Sequence, residues 1–269
     1  MKLTFLGTGA ANWLLSDYRE GCEFRRNSSA LVNGDLLIDP GPHVFHYRDH
    51  SGDPELLKNV KNIILTHTHG DHFCPETVEK LALENDCTLW ADAAAMRKLI
   101  KALGPERASK IRFAETQVRA PLPYLIGSYK IWSLRGNHAT DDPLEDTRIY
   151  VIAGSDGKGG ERYLFYGLDS AWIPTVSWNV IKTLPINAMV MELTCGTQAP
   201  NDWRIFEHNT LDMLELMLVT FRKYGYFAPD VKYYTSHMAA VLHTDHASLA
   251  KTLEPLGVTP AYDGMEIEI

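Results

Sequence analysis

Short apolar runs broken by glycine and aspartate fill the first seventy residues, and their lengths predict strands. Leu3–Leu6 leads into Gly7-Thr8-Gly9. Ala30–Val32 and Leu36–Ile38 flank Asn33-Gly34-Asp35, a hairpin signal, because asparagine and glycine accept the positive φ of a tight turn. Asn62–Leu65 reads as a further short buried strand. The period then changes. Val78, Leu81 and Ala82 share one face of a helix predicted over Pro75–Glu84, with proline in its first turn. Met96, Leu99, Ile100 and Leu103 repeat at helical spacing and predict a second helix over Asp92–Leu103, ended by Gly104-Pro105.

From Ile111 to Val190 the pattern is mostly strand, with β-rich runs at Tyr129–Leu134, Arg148–Ala153 and Arg162–Tyr166. A turn spans 155–160. A longer helix is expected over Thr210–Tyr224, with Asn209 as N-cap and Asp212 in the first turn. Val231–Thr235 is a strand, and Ala247–Leu256 a last helix that opens after Thr244-Asp245. With no internal repeat, low-complexity segment or long linker, residues 1–269 read as one α/β domain.

The most informative chemistry is His67-Thr68-His69-Gly70-Asp71-His72, directly after the Asn62–Leu65 run. His67 and His69 can turn to one metal position. Asp71 and His72 can turn to a second, roughly 3.5–4 Å away in dinuclear hydrolases. His138, Asp169 and His237 likewise follow predicted strands, where open sheets gather their sites. Each alone reads as a turn or packing residue; their joint occurrence with the 67–72 loop makes them candidate ligands.

Composition narrows the field. The 269 residues are 45% hydrophobic and 22% charged, ordinary for a globular protein, with a formal net charge of −8 and no lysine/arginine block. A long nucleic-acid footprint needs many phosphate-neutralising cations, so it is not expected. A small anionic substrate stays open, since a metal centre sets its own local charge. Cys22, Cys74, Cys87 and Cys195 show no CxxC spacing and read as reduced thiols. No apolar stretch nears the ~20 residues of a membrane helix, and the first residues read as a strand, so a cytoplasmic protein without a membrane partner is expected.

The chain resembles the metallo-β-lactamase superfamily over nearly its full length. The matching segments are Phe5-Leu6-Gly7-Thr8-Gly9, Asn27-Ser28-Ser29, Leu37-Ile38-Asp39-Pro40-Gly41, the 65–72 loop, Gly167-Leu168-Asp169-Ser170 and Thr235-Ser236-His237. The resemblance implies a four-layer αββα sandwich. It also implies two divalent metal ions, Zn²⁺ foremost with Mn²⁺ or Fe²⁺ open: His67, His69 and His138 on one, Asp71, His72 and His237 on the other, Asp169 bridging. Asp39 would orient the loop. Within the superfamily the chain looks most like the phosphodiesterase branch of RNase Z and the cyclic-phosphate diesterases of phosphonate breakdown, because His208 precedes a helix as that branch's extra catalytic histidine does. Asp71 and His208 are therefore the candidate catalytic residues, His208 as general acid and phosphate stabiliser. Dimers are common in that branch, which leaves a homodimer open.

Two ions bring +4, Asp71 and Asp169 −2 and a bridging hydroxide −1, a surplus of +1 that favours an anionic phosphodiester. Asp169 stands where the commonest zinc β-lactamases carry cysteine, and no basic arm for gripping tRNA is visible, so a small or cyclic phosphodiester is the expected substrate. A lactonase or thioesterase of the same fold, and a non-catalytic nucleotide- or partner-binding protein, are the alternatives. With only Cys22 in the corresponding loop, no structural zinc is expected. His43, His46 and His50 read as a solvated turn without metal, and His243 and His246 as rim or helix-start residues. Trp13, Tyr18, Arg25, Arg26 and Trp172 could equally contact substrate or pack.

Overall fold

The computed structural model describes residues 1–196 and 203–269. Two seven-stranded mixed sheets lie face to face. The first comprises β1 (Lys2–Gly7), β2 (Ser29–Val32), β3 (Leu36–Ile38), β4 (Asn62–Ile64), β5 (Thr88–Ala91), β6 (Arg112–Glu115) and, on the outer edge beside β1, the last strand β14 (Glu266–Glu268). The second comprises β7 (Tyr124–Ile126), β8 (Tyr129–Arg135), β9 (Arg148–Ser155), β10 (Glu161–Gly167), β11 (Ala188–Glu192), β12 (Lys232–Ser236) and β13 (Val258–Pro260). In each sheet an antiparallel meander passes into a parallel half, at β3–β4 in the first and β10–β11 in the second.

Strands here are apolar on both sides because both faces of each sheet are covered. In β3, Leu36 and Ile38 enter the core between the sheets, while Leu37 joins the outer layer with Val78, Leu81 and Leu99. In β9, Tyr150 and Ile152 face inward, and Ile149, Val151 and Ala153 face Leu214, Leu218 and Phe221. This period-2 alternation yields helix, sheet, sheet, helix. The layering is the αββα sandwich that the resemblance implied.

The outer helices are α1 (Val44–His50), α2 (Pro75–Asn85), α3 (Ala93–Leu103) and the short α4 (Pro105–Ala108) over the first sheet. Over the second lie α5 (Thr175–Ile181), α6 (Leu211–Tyr224) and α7 (His246–Leu253). Asp92 caps α3 by accepting the Ala94 N–H at 2.9 Å, and Asp245 caps α7 by accepting from Ser248. Among the described residues no helix is long and apolar enough to cross a membrane.

Four expectations need correction. The 43–50 stripe is helical, because His43 Nδ1 accepts the Asn27 N–H and His46 Nδ1 accepts from Arg26 Nε, seating that face on the 18–27 loop. Thr210, and not Asn209, caps α6. Asn209 is engaged elsewhere: its Oδ1 accepts from Trp172 N and its Nδ2 donates to Ser170 O, both at 3.2 Å. The strand-rich stretch 111–190 also contains α5, and the last helix stops at Leu253 before a 3-10 turn over Glu254–Leu256.

Candidate active site

The seven predicted ligands come together. The 67–72 loop follows β4, His138 follows β8, Asp169 follows β10 and His237 follows β12, so all leave their strands at the same end of the sandwich. His67, His69, His138 and Asp169 form one group whose candidate donor atoms lie within 4.8 Å of one another; Asp71, His72, Asp169 and His237 form a second. Asp169 belongs to both.

Three of the five histidines, His67, His72 and His237, have one nitrogen within hydrogen-bonding reach of a supporting side chain. His72 Nδ1 donates to Asp39 Oδ2 at 2.8 Å, leaving Nε2 3.0 Å from Asp169 and 3.5 Å from Asp71. Thr194 Oγ1 lies 2.8 Å from His237 Nδ1, whose Nε2 is 3.3 Å from Asp71 Oδ2. Thr66 Oγ1 lies 3.1 Å from His67 Nδ1. His69 and His138 meet through Nδ1 and Nε2 at 3.1 Å. Asp39 also accepts from Thr66 N and Oγ1, fixing the start of the loop. Such support orients ligands and selects the tautomer. Asp39, Asp169 and His237 occupy left-handed backbone conformations, with φ of 57°, 46° and 57°, uncommon for non-glycine residues and concentrated at functional sites.

The electrostatics suit cations. Burial would discharge His72 and His237, yet the carboxylates around them outweigh it: Asp71, Asp169 and Asp39 hold His72 well above the ordinary imidazole range, and Asp169 foremost raises His237 to about 9. His67 and His69 are pushed down, by burial first. His67 Nε2 and Asp169 Oδ1 are buried without a well-formed hydrogen bond, although Asp169 Oδ1 lies only 2.9 Å from His237 Nδ1. Close approach without bonding angles means that these atoms converge on a shared point. An imidazole–carboxylate set of this kind fits divalent metal ions.

His208 stands beside this cluster, its Nδ1 3.4 Å from Asp169 Oδ1 and 3.2 Å from Glu192 Oε2. Burial opposes its charged form, but Glu192 and then Asp169 raise it above the usual value. The backbone ties its loop to that of Asp169, Ala171 N donating to Glu207 O at 3.0 Å. A cavity of about 280 Å³ opens over His69, Asp71, His138, Asp169, His208 and His237.

No family model matches the chain. A local match, 34% identical over 67 residues, is to mRNA-capping enzyme subunit alpha of Neurospora crassa, and covers 24% of this chain and 16% of that protein. The chain thus spans about one sixth of that relative's length. Solved structures match throughout. A diphosphatase of the PhnP family is 18% identical with a TM-score of 0.71, covering 100% of this chain and 96% of its own. Zinc-bound PqqB of Methylobacterium extorquens is 13% identical at 0.72, over 100% of both. The human short-form tRNase Z is 17% identical at 0.69, over 100% and 99%. The fold is the metallo-β-lactamase fold.

Within this metallo-β-lactamase fold the sequence did not single out Glu192, a fully buried carboxylate that also accepts from Ser170 N and from Thr194 Oγ1. Its signal was there: it ends the apolar run Ala188–Met191, the same strand-end position as the other site residues. Glu207, with Oε2 3.5 Å from His138 Nδ1, also went unnoticed. Arg25 and Arg26 are buried and committed to Thr8, Ala261 and Asp263, and Trp13 Nε1 donates to Met238 O at 2.7 Å. His246 contacts Arg25 NH2 at 3.0 Å, and the His243 ring rests against Gly196.

Proposed function

We propose that this chain is a dinuclear metal-dependent hydrolase acting on a small phosphodiester, with His67, His69 and His138 on one ion, Asp71, His72 and His237 on the other, and Asp169 shared. The observation that carries the reading is His208, backed by Glu192 and facing the donor cluster. Two divalent ions would acidify a water and draw negative charge from the phosphoryl oxygens. The chain's own groups complete the chemistry. With Nδ1 on Glu192, His208 offers Nε2–H to the departing ester oxygen and can deliver the proton that oxygen needs. A lactone or thioester would also be activated here but enters the site neutral, so the positive surplus favours the phosphodiester. The names of the PhnP-family diphosphatase and of tRNase Z, both phosphorus–oxygen bond enzymes, support the same class.

The test combines metal analysis with a panel of bis-p-nitrophenyl phosphate, cyclic nucleotides, a lactone and a thioester. Two ions per chain and preferential diester turnover are expected. His208→Ala should cost on the order of 10²–10⁴ in diester turnover with metal content retained. Preferential lactone turnover, with His208→Ala unimpaired, would reverse the assignment.

A further inference from the structure

The metal-facing cavity is not the largest hollow at this end of the molecule. On the far side of the 67–72 loop lies a groove of about 740 Å³. Thr68 and Gly70 line it, whereas His69 and Asp71 line the smaller cavity, so successive residues of one loop face alternate hollows. The ridge between the two is the exposed backbone at Gly70. Gly70 has a negative φ, and a Cβ built there meets no atom within 4 Å. Neither backbone conformation nor packing requires glycine at this point; the space above it is open.

The groove has an apolar lining from the accessible Pro42, Pro75 and Pro143, and a cationic wall from α3. Two of the three α3 cations are committed. Arg97 donates to Asp142 from Nε at 2.8 Å, and Lys98 Nζ donates to the Thr68 carbonyl, tying α3 to the metal loop. Lys101 is exposed and has neither an ion pair nor a hydrogen bond among the described residues.

Resting on the phosphodiesterase reading above, we infer that this groove is the subsite for one ester arm of the substrate. The arm crosses Gly70, lays a nucleoside-sized body against Pro42 and Pro75, and ends in a second phosphate that pairs with Lys101. Glu76 and Asp141, which also line the groove, repel an anion placed elsewhere and so set its position. The substrate class is thus a phosphodiester whose arm carries a further anionic group.

The test uses two dinucleotides, thymidylyl-thymidine and its 5′-phosphorylated form, with kcat/KM measured for each on metal-loaded protein. The wild type should prefer the phosphorylated diester. Lys101→Glu should lower that preference about tenfold, by replacing an attraction with a repulsion at the phosphate. Gly70→Val, which raises a side chain on the ridge, should lower turnover of both dinucleotides relative to bis-p-nitrophenyl phosphate. Because each readout is a ratio, damage to the metal centre cancels. Ratios that stay at wild-type values in both variants overturn the subsite. If the wild type hydrolyses no diester, the phosphodiesterase reading fails by itself; the groove is then judged by calorimetric titration with thymidine 3′,5′-bisphosphate. Weaker binding by Lys101→Glu upholds the groove, and equal binding refutes it.

Discussion

Glu192 and His208 form a buried carboxylate–imidazole pair, Oε2 and Nδ1 3.2 Å apart, contributed by the end of β11 and the loop before α6. Burial disfavours the imidazolium, and Glu192 is the main group that overcomes this, so the proton is held to higher pH than in a free imidazole. An acid of this kind loses function as pH rises through its pKa. Glu192→Gln removes the charge and moves the basic limb of the kcat/KM profile to lower pH. Profiles of wild type and variant, recorded on one diester, check this; superimposable basic limbs would contradict it.

The 67–72 loop was legible in the sequence because its donors are contiguous, and spacing alone brings them together. His138, Asp169 and His237 were legible through a weaker rule, polar residues just past apolar strands. Glu192 obeyed the same rule but belongs to a strand, Ala188–Glu192, buried along its whole length and never separated from the preceding β-rich stretch. The Val44–His50 helix, with His43 before it, was hidden for another reason. Its histidines bond to the backbone and side chains of residues 26 and 27, and no local pattern announces such a partner. Likewise Asn209 has a capping residue's chemistry, but a tertiary contact claims its amide.

Asp39 permits a clean dissection, because asparagine tolerates its left-handed φ of 57° while losing the carboxylate that holds His72. Asp39→Asn should weaken metal affinity about 10–100-fold with modest loss of stability. Asp39→Ala should lose metal affinity and also about 1–2 kcal/mol of stability from backbone strain. Competition titrations with a chromophoric chelator, alongside urea melts, separate the two effects.

Metal removal should destabilise the fold. An ion that binds only the native state, present at a hundredfold its Kd, contributes about 2.7 kcal/mol, or about 5–10 °C in Tm for a chain of this size. Calorimetry with EDTA and after readdition of Zn²⁺ or Mn²⁺ reads this directly. An unchanged Tm, with binding verified, would mean that folded and unfolded chains bind the ion alike, and would contradict a site that only folding assembles.

Asp263 is buried with Arg25 and Arg26, accepting from Arg26 N at 2.6 Å and Thr8 Oγ1 at 2.9 Å. Asp263→Ala leaves buried guanidinium groups uncompensated and should cost about 3–5 kcal/mol. The loss should appear in denaturant midpoints while the folded fraction retains its metal stoichiometry.

Four of the gathered side chains, His67, His69, Asp71 and His72, hang from the first sheet; the other three, His138, Asp169 and His237, hang from the second. Neither half of the sandwich holds a complete claw. Ions seated between them would act as rivets through the seam, so a shortage of metal would empty the site and loosen its two halves in the same stroke.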